Sequence, residues 1–192
     1  MKKVHVYICI IFMIAGNSVK AESLRVKDLK KDTLNGKQIS VISTDIERKF
    51  FTLTEFNSAL GLVSIKYPES NYYVGISEVV GYKIKNNLWT GVGSGVLFYN
   101  GGTLLPLYLD TKYFLGQKDL RSFFNFNIGS LFRLSGVEVT PRVFINPGYG
   151  LKFKLSDNTA LLTSVGILTQ WEIQDTKHRD SFINFKIGVA FY

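Results

Sequence analysis

The side chains best suited to covalent chemistry in this sequence are one cysteine, Cys9, and two histidines, His5 and His178. Acyl transfer needs a nucleophile, a base within hydrogen-bond reach and a third group that orients the base. His178 has Ser181 three residues on, but both sit in a run of Thr, Lys, Arg and Asp that reads as solvated loop, and no oxyanion site is visible beside them. Gly91, Gly93 and Gly95, with Val92 and Ser94 between them, resemble a phosphate loop in spacing only. No Lys and no helix pattern follows, so glycines at alternate positions point to tight packing on one face of a strand. Metal ligation has no cysteine set or histidine pair to rest on. The expectation is a chain without enzymatic activity, metal or cofactor.

A second group of residues has electrostatic possibilities. Asp110, Lys112, Arg133, Lys152, Lys154, Glu172 and Lys186 each fall on the polar parity of a segment whose other parity is apolar. If those polar faces meet inside a narrow barrel, two readings open. The charges form a salt-bridged plug that satisfies one another where little water fits, or they line a narrow ion path that favours anions, because bases outnumber acids. An eight-stranded interior is one that side chains can fill, which favours the plug.

The elements that would position these charges show themselves by period two. From Ser181 to Tyr192, Ile183, Phe185, Ile187, Val189 and Phe191 share one face and Asn184, Lys186, Gly188 and Ala190 the other. Arg142–Leu155, Phe123–Leu134 and Ala160–Ile173 repeat the pattern, with Tyr149, Leu151 and Phe153, then Phe124, Phe126 and Ile128, then Val165, Ile167 and Trp171 on the apolar side. Four noisier segments precede or interleave with them, at Phe51–Ile65, Tyr72–Ile84, Leu88–Tyr99 and Leu104–Leu115. In the second of these Glu78 falls on the face of Val74, Ile76, Val80 and Tyr82, and a bulge near Val79 is the expected remedy. Turn residues lie between the segments at Lys85–Asn87, Asn100–Gly102, Gly116–Asp119 and Ser156–Asn158. The fold class expected is all-β, a closed antiparallel transmembrane β-barrel of about eight strands over residues 50–192. An even strand count returns both ends to one side; if the N-terminus is periplasmic, the turns at Lys85–Asn87, Gly116–Arg121 and Ser156–Asn158 face the periplasm and the other links face outward.

The beginning of the chain reads differently. Lys2 and Lys3, an apolar run from Val6 to Gly16 and small residues up to Ala21 make the three parts of a secretory signal peptide, residues 1–21. The apolar run is too short for a membrane anchor, which needs about 20 residues. Cys9 lies inside that run without the residues that precede a lipidated cysteine. Removing residues 1–21 takes away every sulfur atom and leaves 20 basic against 15 acidic residues, a net charge of +5 scattered along the chain. That is too mild for a nucleic-acid partner. A chain with no disulfide in an oxidising compartment finds its stability in a core, a closed sheet or a membrane. Residues 22–49 are charged and Lys-rich and are expected to form a periplasmic N-terminal segment, with a short strand at Gln38–Ser43 as one alternative and disorder as the other.

Periodicity cannot say which face points inward, and a soluble lipocalin-like binding barrel is the main rival. Composition favours the inverted arrangement: the polar face is rich in Gly, Ser and Asn with single charges, while the apolar face is uniformly large and carries aromatics at segment ends. Leu105–Phe114, the Gly81-Tyr82 pair before an Asn turn, Asn146–Phe153 and the ending Lys186–Phe191 resemble the small outer-membrane β-barrel proteins of Bacteroides-type Gram-negative bacteria. The resemblance covers about Phe51 to Tyr192. It implies a cell outer membrane location, lipid and the barrel-assembly machinery as partners, and a structural or surface-interaction role. It also implies that the final strand, through Gly188 and the aromatics Phe191 and Tyr192, is what that machinery reads. Tyr192 departs from the pattern by standing on the opposite parity from the apolar face, which leaves open which aromatic is read.

Overall fold

The computed structural model describes residues 49–62, 71–116, 119–136, 141–172 and 179–192. The expected signal peptide, the segment 22–48 with its alternative strand, and His178 lie outside the described residues.

Eight strands follow one another along the chain: β1 Phe50–Leu62, β2 Tyr72–Lys85, β3 Leu88–Tyr99, β4 Gly102–Leu115, β5 Leu120–Gly136, β6 Arg142–Lys154, β7 Thr159–Glu172 and β8 Arg179–Phe191. Each pairs antiparallel with the next, and β1 pairs with β8 from Thr52↔Phe191 to Leu62↔Ser181, so the sheet is a closed barrel. Closure leaves no strand with an unpaired edge, the condition for a sheet in hydrocarbon. β5 begins at Leu120, earlier than period two suggests, while residues 63–65 of the first expected segment lie outside the described residues. Leu120 and Arg121 continue the ladder by pairing with Phe153 and Lys152, which the turn-like residues before them conceal.

The faces are inverted relative to a water-soluble barrel. Phe56, Ile76, Leu109, Phe126, Phe185 and Ile187 point outward and each is about half exposed, whereas Glu55, Asp110, Asn127 and Asn146 point inward and are buried. Buried aromatics cap the polar middle of the lumen at both ends. Phe51, Trp89, Phe114 and Phe123 form one group at the end carrying the short turns, with neighbouring ring centroids 4.7–5.3 Å apart. Tyr73, Tyr99 and Phe182 form the other, at 4.8–5.8 Å. Gly91, Gly93 and Gly95 line the inside of β3, and a Cβ on Gly93 would collide with the ring of Tyr108. Gly81 and Gly150 leave room in the same way for the rings of Phe51 and Phe123, which helps to fill the interior.

One expectation is corrected. No bulge occurs near Val79: the pairing runs unbroken through Thr54↔Glu78 and Glu78↔Ser94, and β2 shifts register only at Lys83/Lys85, beside its turn. Glu78 therefore stays on the outer face, where the Thr54 hydroxyl donates to its carboxylate at 2.5 Å. A bulge at mid-strand would have moved the following residues to the opposite face, turning Val79 out of the core, where it is fully buried.

Candidate functional site

The lumen is the candidate site, and its middle is a network of charges. Lys112 on β4 places its ammonium 2.7 and 2.8 Å from the two oxygens of Asp110 and 3.4 Å from Glu55 on β1. Lys186 on β8 lies 3.6 Å from the other Glu55 oxygen and donates to Asn127 at 3.0 Å. Asn127 in turn donates to Asp110, and Asn125 donates to Asn127 at 3.3 Å. All four charged side chains are nine-tenths or more buried. Two acids and two bases balance, so the middle of the lumen is neutral rather than basic. Removing them from water costs several kcal/mol per ion, and the network is tenable because each charge meets an opposite charge and Asn127 adds hydrogen bonds to Asp110 and Lys186.

Above this layer, Asn146 donates to Asn184 at 3.1 Å and Asn184 donates to the Tyr73 hydroxyl at 2.7 Å. Nearby, Asn57 donates to Ser77 at 2.9 Å. A void of about 20 Å³, counted as space for the centre of a water molecule, lies among Asn57, Tyr73, Ser77, Tyr108, Asn146 and Lys186. That holds one or two waters and no larger ligand.

At the end opposite the short turns Arg142 bridges two acids, Glu172 and Asp180, at 3.2 Å each. Gln170 donates to Asp180 at 3.3 Å and accepts from the Tyr99 hydroxyl at 3.2 Å. The opposite end carries Lys152, whose ammonium lies 4.1 Å from the Trp89 ring centroid and 4.7 Å from that of Tyr192. Just outside the strands, the Lys154 ammonium 2.9 Å from Asp157 holds that carboxyl below its usual range, and burial pushes the Tyr192 hydroxyl up.

The seven charges expected to share the lumen therefore separate. Asp110, Lys112 and Lys186 meet in the middle, Glu172 joins Arg142 at the end opposite the short turns, and Lys152 lies among rings at the other. Arg133 and Lys154 are corrections. Both keep the inward parity, but they fall at strand ends where the wall stops, and both are exposed. Glu55, Arg142 and Asp180 belong to the buried networks and were missed. β1 conceals Glu55 because its outer face carries Thr52, Thr54 and Ser58, so neither parity is cleanly apolar. On β8, Gly188 lies inward and a Cβ there would press on Glu55; Phe191 faces out, while the Tyr192 ring packs edge-on to Trp89 at 5.4 Å.

No protein-family model matches the sequence, and no curated protein matches it. Among solved structures the chain is similar to Neisserial surface protein A, NspA, at 15% identity with a TM-score of 0.53, over 74% of this chain and 96% of that one. The fold is that of a small outer-membrane barrel. Two further structures align at lower scores. The N-terminal β-barrel domain of Pseudomonas aeruginosa OprF does so at 14% identity and 0.49, over 73% of this chain and 97% of that one. The outer membrane enzyme PagL does so at 13% and 0.45, over 72% and 99%.

Proposed function

We propose that the chain spans the outer membrane as a sealed barrel and acts there as a structural or surface-interaction component, neither enzyme nor pore. The observation that carries this reading is the inversion of its faces. A continuous belt of half-exposed Phe, Leu, Ile and Val surrounds a lumen of ion pairs and amides. Water would not tolerate so large an apolar surface, since soluble monomers rarely expose contiguous patches beyond a few hundred Å². Hydrocarbon tolerates it, and the closed ladder satisfies the backbone there. The sealed lumen follows from the two aromatic layers and the neutral centre, which leave room only for isolated water. The reading without catalysis is supported by the sequence, whose two histidines, at positions 5 and 178, fall outside the residue ranges of the eight strands.

Fractionation of cells producing the chain tests the membrane assignment. The protein should pellet with outer membranes, resist extraction without detergent and migrate faster unheated than boiled. Recovery as a monomer in plain buffer would overturn it. In planar bilayers the folded barrel should show negligible conductance, and stable single-channel steps would replace the sealed reading by a pore.

A further inference from the structure

Three neighbouring strands set polar side chains side by side on the face that meets lipid. Glu78 lies midway along β2 and points outward, half-buried, its carboxylate accepting from the Thr54 hydroxyl of β1. The register puts Thr54 opposite Glu78 on one side and Ser94 of β3 opposite it on the other, so a hydroxyl, a carboxyl and a hydroxyl form one row across the sheet. Among the described residues, Glu78 is the only charged side chain on the outward parity between the rims; Arg179 shares that parity but opens β8 at the edge of the sheet. The apolar surroundings of the row are also unlike the rest of the belt. Ile76 and Val80 flank Glu78 along β2, and Val92 and Val96 flank Ser94 along β3. On β5 and β6, which lie across the ring from β1 and β2, the outward side chains include Phe124, Phe126, Tyr149 and Leu151. One wall is low, branched and crossed by a polar row, and the other is tall and aromatic.

A carboxyl facing hydrocarbon is costly, and the single bond from Thr54 uses only part of its capacity to accept. In lipid no hydrophobic force draws two proteins together, since acyl chains are as apolar as the side chains, so association comes from close packing and from hydrogen bonds across the contact. The β1–β3 wall offers both. We infer that this wall is the contact face of a dimer with a second copy of the chain, the two barrels lying side by side in the membrane. The inference rests on the outer-membrane reading above. Copies inserted in the same direction pair symmetrically about a two-fold axis along the membrane normal, in which residue i of one meets residue j of the other and j meets i. With that axis between β2 and β3, Ser94 of each copy donates to Glu78 of the other, while Thr54 keeps its bond within its own barrel and the two carboxyls stand apart. The valines beside the row are short enough to let the walls approach. A second copy is the favoured occupant because the axis preserves depth: it brings a hydroxyl to the level of Glu78 by construction, which an unlike membrane protein would have to match by chance.

Sedimentation equilibrium of the folded full chain in a density-matched detergent reads the mass without a label. A monomer–dimer equilibrium that follows the protein-to-detergent ratio is expected, and this measurement needs no variant. Glu78→Leu should raise its midpoint about tenfold, the loss of two hydrogen bonds across the contact. Each variant is first checked for the fast-migrating folded band. Cross-linking in phosphatidylcholine vesicles then tests which wall is used, with Cys9→Ser in the background so that the introduced thiol is the only one. Val92→Cys, beside the row, should give a band of double mass with a short bis-maleimide, and Ile128→Cys on β5 should not. A folded barrel that is monomeric at every ratio, an unchanged midpoint in Glu78→Leu, or equal cross-linking at Ile128→Cys would overturn the dimer, and the first of these would point to an unlike membrane partner at this wall. Failure of the membrane reading would look different, as a chain that stays soluble in plain buffer, and it would take the dimer with it.

Discussion

Lys112 and Lys152 are both buried in the lumen of one small barrel, and their surroundings differ in kind. Lys112 sits between Asp110 and Glu55, with amides of Asn127 and Asn125 completing the layer. Lys152, at the mouth, has rings below it and other cations around it. The contrast shows that the lumen is one compartment geometrically and two electrically. In the middle the walls screen out water, so an unpaired charge would be intolerable. At the mouth a cation can borrow solvation, ring faces or a visiting anion.

Removing one partner from the middle should have the largest effect. Asp110→Ala strips Lys112 of its nearest carboxylate and Asn127 of its acceptor, and breaking a buried pair in this way typically costs about 3–5 kcal/mol. Urea unfolding of the barrel in lipid vesicles measures it; a loss under about 1 kcal/mol would erase the contrast between centre and mouth. Next comes a pair of adjacent positions on β8. Lys186 points in and finds Glu55 and Asn127, whereas a cation one residue later would point out to hydrocarbon. Ile187→Arg should cost about 2–4 kcal/mol near the bilayer midplane and impair assembly, read by loss of the heat-modifiable band. Normal folding of that variant would break the assignment of the faces.

A smaller effect is expected on the outer face of β2. Glu78 is half shielded by Thr54, and Glu78→Leu should stabilise the barrel by about 1 kcal/mol, since an apolar side chain suits that face better than a polar one. A destabilised Glu78→Leu barrel would show that the carboxyl serves a contact of its own. The smallest change belongs to the mouth: Lys152→Gln should alter stability by about 0.5 kcal/mol or less in detergent, because it removes repulsion from Arg121 along with the ring contacts. Parity of this loss with that of Asp110→Ala would mean that the two lysines are equivalent after all.

Much of the architecture was legible before any coordinates, and the reason lies in particular segments. From Ser181 to Phe191 each odd position is apolar and each even one is small or polar, apart from Ser181 and Phe182, and the structure keeps that face assignment. Arg142–Lys154 and Thr159–Glu172 behave alike. β1 was not legible to the same degree, because Thr52, Thr54 and Ser58 on its outer face and Glu55 and Asn57 on its inner face blur the alternation. Glu78 misled for the opposite reason. It shares the parity of Val74, Ile76, Val80 and Tyr82, and the expected bulge assumed that the outer face could not hold a carboxyl; a neighbouring threonine hydroxyl lets it.

What the sequence determined by itself is which residues share a face, because successive side chains of a strand alternate and that rule is purely local. What only the tertiary structure decided is which of the inward charges meet. The stagger of closed strands sets the height of each side chain, and it brings Glu55 of the first strand level with Lys112 of the fourth and Lys186 of the last while lifting Arg133 and Lys154 to the rims. Height along the barrel depends on the register of every pairing around the ring, including the one that joins β1 to β8, and no short stretch of chain encodes it.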